Sequence, residues 1–268
     1  MWSTLVLAVA LTQAAPQKLR WEPRADLPVT GALVTGWLLS EFAFKKQLAP
    51  RACRWCETNG FDTAVRKAFN PTLAPSADGL GPANVASNLV GFVALPVLMV
   101  GLDALLSWRD GVFVEAFPID VVLVLEATFS ALGLNQVVKF SVGRGRPYTI
   151  DASTEVLAGG HDLADNYLSF FSGHSTFSFA LAASAATVAS LRGYRHAWVL
   201  WAVGVPLAAA TAILRLAADK HWTTDILLGS AIGLATGILM PTFLHGRIGP
   251  VTAQVTPMSD GLAVSGRF

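Results

Sequence analysis

The chain has 268 residues, of which 53% are hydrophobic and only 14% are charged, and its formal net charge is +1. Soluble domains carry roughly a quarter charged residues, so the composition excludes an ordinary soluble domain and indicates a protein that crosses a membrane several times. The nearly balanced charge also argues against nucleic acid as a partner, because broad electrostatic binding needs a large positive excess.

The N-terminal segment, residues 1–15, has a short apolar core, Leu5–Leu11, followed by small residues before Pro16. This pattern is typical of a secretory signal peptide, although no Lys or Arg precedes the core. An uncleaved apolar N-terminus explains the same residues, and both interpretations stay open.

Apolar segments then recur along the chain, and most of them approach the roughly 20 residues that a helix needs to cross a bilayer. They predict an all-α, polytopic transmembrane bundle of five or six spans. The first segment is the weakest, because it is short and contains Glu41. The segments are 28–44, 86–108, 117–138, 174–191, 196–214 and 223–244.

Three further regions surround the predicted membrane core, which covers residues 86–245. Residues 16–85 form an N-terminal region with a single C-x-x-C, Cys53 and Cys56. One such pair is too few for a cysteine-only zinc site, so a local disulfide or structural thiols are the simpler interpretation. The same region has an amphipathic run, Phe61–Phe69, which predicts a surface or interfacial helix.

The tail, residues 246–268, has no long apolar segment. Its residues alternate in polarity on both sides of an Asp-Gly pair at 260–261. This pattern predicts a short β-hairpin.

A histidine and an aspartate follow the fifth apolar segment. His221 and Asp225 are four residues apart, so they share one face of a helix, and Arg215 precedes them. A carboxylate that accepts a hydrogen bond from one imidazole nitrogen leaves the other nitrogen free as a nucleophile. The guanidinium fork of Arg215 fits two phosphoryl oxygens. A locally satisfied polar helix start explains the pair equally well when it is taken alone.

A second motif, Ser172-Gly173-His174, precedes the fourth apolar segment. Small residues before an apolar run predict a helix N-terminus, where free backbone N–H groups bind anions. His174 there is a candidate general acid and base. An ordinary interfacial histidine is the alternative.

A third motif contains the cations Lys139 and Arg146, which flank a loop with two glycines and end at Pro147. Alone, each cation is explained by snorkelling at a helix end. Arg144 lies between them and we assign it a secondary role. Three cations on one membrane face would neutralise a phosphoryl group and its transition state.

The orientation follows from two loops that flank the fourth and fifth segments. The loop 139–174, which carries the second and third motifs, and the turn from Arg215 to His221 are separated by two spans, so they lie on one face, opposite the turn 191–196. That turn is short and basic, which favours the cytoplasm. We therefore expect a multi-pass protein of the bacterial inner membrane, with its reactive face toward the periplasm or exterior.

The order and spacing of these motifs resemble the type 2 phosphatidic acid phosphatase superfamily, which includes bacterial acid phosphatases and vanadium haloperoxidases. Its signature is K-x6-R-P, then P-S-G-H, then S-R-x5-H-x3-D. Residues 139–147 match the first part completely. The second and third parts match except that Phe171 replaces the proline and Leu214 replaces the serine.

The resemblance implies a membrane-bound phosphatase that works without a metal or other cofactor. His221 would be the nucleophile that forms a phosphohistidine, Asp225 its partner, and His174 the general acid and base. The residues that would hold the phosphoryl oxygens are Lys139, Arg146, Ser172, Gly173 and Arg215. The partners would be the bilayer and a lipid phosphate monoester or pyrophosphate, with no obligate protein partner indicated.

Two rival functions stay open from sequence alone. One is a vanadium-dependent haloperoxidase, because vanadate mimics phosphate. The other is a non-enzymatic phosphate-lipid binding or transport protein. Four polar residues lie inside the apolar segments: Asp103, Glu126, Asn135 and Gln136. Such residues are either functional candidates or interhelical hydrogen-bonding groups. We favour the second interpretation for Asp103 and Glu126, because neither adjoins a motif.

Overall fold

The computed structural model describes residues 16–69, 81–151, 163–246, 252–258 and 261–267. The predicted signal peptide, residues 1–15, lies outside them. The described helices are α1 (Pro23–Leu38), α2 (Lys45–Leu48), α3 (Gly60–Phe69), α4 (Pro82–Leu89), α5 (Leu95–Arg109), α6 (Phe113–Val142), α7 (Tyr148–Asp151), α8 (Gly173–Arg192), α9 (Trp198–Ala217) and α10 (Thr223–Met240).

Three of these helices contain or continue into π-helical turns. Leu39–Ala43 extends α1, Val90–Ala94 joins α4 to α5, and Pro241–His245 extends α10. A 3₁₀ turn, Leu163–Asp165, precedes α8. Each predicted apolar segment therefore lies on a helix, which confirms the all-α bundle.

Within the described part of the chain, four helices are long and apolar enough to cross a membrane: Pro82–Arg109, Phe113–Val142, Trp198–Ala217 and Thr223–His245. The protein is thus a multi-pass membrane protein. Helix α8 is not in that set because alanine, serine and threonine fill it. It is the enclosed helix of the bundle, with Ala180, Ala182 and Ala183 fully buried, and it packs against α6, α9 and α10.

Helix α1 and its π-helical extension run beside α6 in the same direction. Trp37 contacts Phe129 edge to face with ring centroids 5.6 Å apart, and Gln136 donates a 2.8 Å hydrogen bond to Glu41. The weakest predicted segment therefore lies along the bundle. Glu41, which weakened the prediction of a span, comes close to the end of α6.

Close packing of α8 against α10 depends on glycine. A Cβ atom at three positions of α10 would come within 2.5–2.7 Å of a backbone carbonyl oxygen of α8. These positions are Gly229, Gly233 and Gly237, one every four residues. Small residues at this spacing let two helix backbones approach closely, and here they bring the start of α8 against the start of α10.

The tail forms two antiparallel strands, β1 (Thr252–Met258) and β2 (Gly261–Arg267), with Val255 opposite Val264. This confirms the predicted hairpin. Cys53 and Cys56 are joined in a disulfide, which confirms the predicted structural role of that pair. The predicted amphipathic helix is α3, but its charged side chains Asp62 and Arg66 are buried while Phe61 is half exposed.

Candidate active site

A cavity of about 190 Å³ lies where the end of α6, the end of α9 and the starts of α8 and α10 meet. All three sequence motifs contribute to its walls. Its lining residues are Trp37, Glu41, Phe42, Phe92, Leu132, Asn135, Lys139, Arg146, Asp165, Gly173, His174, Arg215 and His221. The structure therefore brings both histidines and the three predicted cations to one small space.

Neutral oxygens hold two of the three cations. Arg215 donates to the side chains of Asn84 (2.6 Å) and Ser87 (3.1 Å) on α4. Arg146 donates to the backbone carbonyls of Asp165 (2.8 Å) and Lys220 (3.0 Å). Such partners fix a guanidinium without cancelling its charge, so both side chains keep their attraction for an anion.

Lys139 reaches the N-terminus of α8, and glycine makes this approach possible. A Cβ atom at Gly173 would lie 3.3 Å from Lys139 Nζ and 3.1 Å from Asn135 Oδ1. Asn135 in turn donates to the carbonyl of Phe171 at 2.7 Å. The ammonium and the positive end of the helix thus face the same cavity, an arrangement that favours an anionic ligand.

Ser172 lies at the N-terminus of α8, as the small residues of the second motif predicted. It is fully buried, and its hydroxyl is the N-cap of α8, accepting hydrogen bonds from the backbone N–H and the hydroxyl of Ser175. Ser172 is not one of the described residues that line the cavity. Its direct contact with phosphate stays a prediction.

His221 is oriented as a nucleophile requires. Its Nδ1–H donates to the carbonyl of Ser169 at 2.8 Å, so the lone pair lies on Nε2, which is 3.4 Å from Arg146 Nη1. Burial and the nearby charges of Arg146, Arg215 and Lys139 hold the pKa of His221 well below its usual value. The imidazole is therefore neutral near pH 7.

Asp225 does not make the direct hydrogen bond predicted for it. Its Oδ2 is 3.8 Å from His221 Nδ1, which exceeds hydrogen-bond length. Instead the hydroxyl of Ser169 donates to Asp225 Oδ2 at 2.5 Å, and the backbone N–H of Trp222 donates at 3.0 Å. Ser169 therefore links the two residues: its hydroxyl donates to Asp225, and its carbonyl accepts from His221.

His174 lies at the first turn of α8, where Nε2 is 2.8 Å from Asn88 Oδ1. The amide oxygen accepts, so Asn88 fixes the ring through an Nε2–H bond. Phe92 packs on the other side, with ring centroids 4.5 Å apart. The imidazole is thus held at the cavity wall by two residues of the Pro82–Arg109 helix.

Carboxylates also reach this cavity, which sequence reasoning did not predict. Asp165 pairs with Lys45 at 2.6 Å and lies 3.7 Å from Arg146. Burial alone would raise the pKa of Asp165, but Arg146 and Lys45 outweigh it and hold that pKa well below its ordinary range. Lys45 also bonds Glu41 at 3.0 Å. The N-terminal region thus closes one side of the cavity.

Arg144, assigned a secondary role from sequence, lies behind the cavity and is almost completely buried. It donates to Asp225 Oδ1 at 2.5 Å and to Asp62 Oδ2 at 2.8 Å. Trp55 packs over its guanidinium, which lies 4.2 Å from the centroid of the Trp55 ring.

The polar side chains that the motif analysis missed are Asp62, Asn84, Ser87, Asn88, Asp165 and Ser169. All lie outside the three motifs, and only the 3–4 residue spacing of Asn84, Ser87 and Asn88 indicated a polar helix face.

Among the described residues, no group of three or more His, Cys, Asp or Glu side chains is arranged to hold a metal ion. The expectation of a metal-free reaction stays a prediction. The site is thus a cationic pocket in which the Ser169 carbonyl holds the neutral imidazole of His221 and Asn88 holds the imidazole of His174.

Comparisons with known proteins agree with this geometry. The sequence profile of the PAP2 superfamily matches residues 120–248, which include all three motifs. A comparison with curated proteins finds no match.

One solved structure is similar: "Crystal structure of the first transmembrane PAP2 type phosphatidylglycerolphosphate phosphatase from Bacillus subtilis". The identity is 21%, the TM-score is 0.49, and the alignment covers 80% of this chain and 94% of that chain. The profile match includes both histidines and the three cations of the cavity, whereas Trp37, Glu41, Phe42 and Phe92 of its lining lie outside the matched residues. Over residues 120–248, just under half of its length, the chain is therefore similar to the PAP2 superfamily.

Proposed function

We propose that this protein hydrolyses a lipid phosphate monoester or pyrophosphate through a phosphohistidine on His221. The observation that carries the proposal is the shared cavity of His221, His174 and the three cations. A cavity at the ends of membrane helices lies at headgroup depth, where the phosphate of a lipid already resides.

In the first step, Nε2 of His221 attacks phosphorus and the bond from phosphorus to the leaving oxygen breaks. His174 gives a proton to that oxygen. Lys139, Arg146 and Arg215 stabilise the charge on the phosphoryl oxygens as it spreads in the transition state.

In the second step, a water gives a proton to His174 and attacks phosphorus. The bond from phosphorus to nitrogen breaks, inorganic phosphate leaves, and His221 returns to its neutral form. His174 is restored to its protonated state, so the cycle balances. The Ser169 carbonyl keeps the proton on Nδ1 of His221, which supports the positive charge that forms on the ring.

The decisive experiment traps the intermediate. Purified protein in detergent micelles is mixed with ³²P-labelled phosphatidic acid, phosphatidylglycerol phosphate or polyprenyl pyrophosphate and quenched in base, where phosphohistidine persists. We expect labelled protein with wild type and none with His221→Ala. Hydrolysis without any label, or label that persists in His221→Ala, would refute the nucleophile; lipid binding without hydrolysis would favour a transport protein.

We further propose that the site faces the periplasm or exterior of a bacterial inner membrane. The short basic turn with Arg192 and Arg195 lies at the opposite end of α8 and favours the cytoplasm. The test compares Lys46→Cys, at the site end, with Arg195→Cys, since both side chains are exposed. An impermeant maleimide should label only Lys46→Cys in intact spheroplasts; the reverse pattern would invert the topology.

A further inference from the structure

Helix α3 lies outside the matched family region and docks behind the active site through a buried carboxylate. Asp62 is completely buried. Its Oδ1 accepts from the backbone N–H of Thr224 at 2.9 Å, and its Oδ2 accepts from the Thr224 hydroxyl at 2.7 Å and from Arg144 Nη2 at 2.8 Å. Asp62 therefore binds both the start of α10 and the loop between Lys139 and Arg146.

Arg144 joins this carboxylate to a second one. One arm of its guanidinium bonds Asp62 and the other bonds Asp225, while Trp55 packs over the group. Only about 1% of the Arg144 side chain is exposed. Loss of Arg144 would leave two neighbouring buried carboxylates without their cation, which is costly, and loss of Asp62 would leave Arg144 with Asp225 as its one carboxylate partner.

The chain of contacts continues to the nucleophile. Asp225 accepts from the hydroxyl of Ser169, and the carbonyl of Ser169 accepts from His221 Nδ1–H. The backbone N–H of Ser169 also donates to the carbonyl of Arg144 at 3.1 Å. The position of the Ser169 carbonyl, which sets the tautomer of His221, thus depends on Arg144 in two ways.

We propose that Asp62 and Arg144 are positioning residues for the reaction, acting on His221 through Asp225 and Ser169. This inference rests on the proposed function. When Asp62 loses its charge, Arg144 keeps one carboxylate partner instead of two and turns from its present geometry. Asp225 and Ser169 then lose their fixed positions, and His221 presents Nε2 to phosphorus in fewer molecules.

The same helix provides a matched control. Arg66, one turn after Asp62, makes a bidentate pair with Asp219 at 2.8 and 2.7 Å. This pair holds α3 against the loop before His221 but does not include Arg144 or Asp225. Asp219 has a positive φ of 55°, which asparagine tolerates well, so Asp219→Asn loosens the docking of α3 without backbone strain.

The experiment compares Asp62→Asn with Asp219→Asn by steady-state kinetics, single-turnover labelling and thermal unfolding. We expect Asp62→Asn to lower kcat and the rate of phosphohistidine formation by about 10- to 100-fold, by analogy with the loss of residues that orient the ligands of a metal site. KM should change little, because Asp62 does not line the cavity. Asp219→Asn should lower the melting temperature but keep kcat near wild type, and Asp62→Glu should recover part of the lost kcat.

Two results would overturn the inference alone. One is an active wild type with an Asp62→Asn variant that labels at the same rate. The other is an equal loss of kcat in both variants that follows their melting temperatures, which would reduce Asp62 to a docking residue. A wild type with neither turnover nor label overturns the proposed function, and the inference with it. If Asp62→Asn does not fold, Thr224→Val serves instead. It removes the hydrogen bond that the Thr224 hydroxyl donates to Asp62 and the one that it accepts from Arg144, while both ion pairs of Arg144 remain, so kcat should fall by a smaller factor.

Discussion

The loop that carries Arg144 and Arg146 has buried arginines on both of its sides, but their partners differ. Toward the cavity, the hydrogen bonds of Arg146 and Arg215 go to neutral carbonyl, amide and hydroxyl oxygens, and the nearby carboxylate of Asp165 lies 3.7 Å from Arg146. Behind it, Arg144 and Arg66 are held by carboxylates. The cavity side keeps its positive charge for an anionic ligand, whereas the rear side cancels its charge and contributes rigidity.

This difference predicts opposite effects on stability. Lys139, Arg146 and Arg215 are buried near one another and outnumber Glu41 and Asp165, the two carboxylates among the described residues that line the same cavity. We therefore expect a net repulsion among the cations that destabilises the protein without ligand. Breaking a buried ion pair instead costs about 3–5 kcal/mol, because the remaining partner stays charged. Substitutions that remove one cation from each side therefore separate binding from folding.

The largest effect is expected from Lys139→Met compared with Arg144→Met. Lys139→Met should lower kcat/KM by about 10²–10³-fold, as removal of one preorganised charge-stabilising donor does, while the melting temperature holds or rises. Arg144→Met should lower both activity and melting temperature, because Asp62 and Asp225 are left as neighbouring buried anions. Activity assays and calorimetry in the same micelles measure both. A lower melting temperature for Lys139→Met than for Arg144→Met would contradict the comparison.

The next effect concerns the packing that brings the two histidines together. A Cβ atom at Gly233 would lie 2.5 Å from the carbonyl oxygen of Thr176. Gly233→Ala forces α8 and α10 apart and should cost about 1–3 kcal/mol, the usual range for overpacking. Activity should fall in parallel, because His174 and His221 are carried by the starts of these helices. The matched control is Gly133→Ala, since no atom lies within 4 Å of a Cβ there; equal unfolding midpoints for the two variants would refute the role of Gly233.

The acid limb of the pH profile should reveal the cations on the cavity side. Burial and the charges of Arg146, Arg215 and Lys139 lower the pKa of His221, and the neutral ring is the reactive form. The limb of kcat/KM due to His221 should therefore lie well below pH 6.5, and Arg146→Gln should move it upward by removing a positive neighbour. Phosphorus NMR titration of the substrate in micelles separates its own ionisation. A wild-type limb at or above pH 6.5 would contradict this assignment.

Much of the membrane bundle and of the cavity side was predictable from sequence, because both depend on local signals. The span lengths follow from apolar runs, and the motif of Arg215, His221 and Asp225 places an arginine, a histidine and an aspartate at fixed spacing. The rear side depends on contacts between distant segments. Asp62 meets Arg144 across a sequence separation of 82 residues, and a charged residue on an amphipathic helix is normally expected to face solvent.

The predicted bond between His221 and Asp225 failed for a related reason. A separation of four residues places both side chains on one face of a regular helix, but α10 begins only at Thr223. His221 therefore precedes the helix, and its ring turns toward the Ser169 carbonyl. Periodicity could not indicate Ser169, because that residue lies in an irregular segment just before α8.

The smallest effect is expected from the disulfide loop. This loop contacts the chain around Arg144, behind the cavity, and therefore tests the rear side separately from the cavity side. The loop is held by backbone bonds from Arg54 N–H to the Gly143 carbonyl (3.0 Å) and from Gly145 N–H to the Trp55 carbonyl (3.2 Å). Replacing both Cys53 and Cys56 by serine frees a loop whose ends are three residues apart. Because such a short loop has little closure entropy to lose, stability should fall by less than the roughly 3 kcal/mol expected for a 15-residue loop. Trp55 stays over Arg144 through the backbone bonds, so kcat should change by a smaller factor than in Asp62→Asn. A loss of kcat as large as that of Asp62→Asn would show instead that the disulfide, and not the buried carboxylate, fixes Arg144.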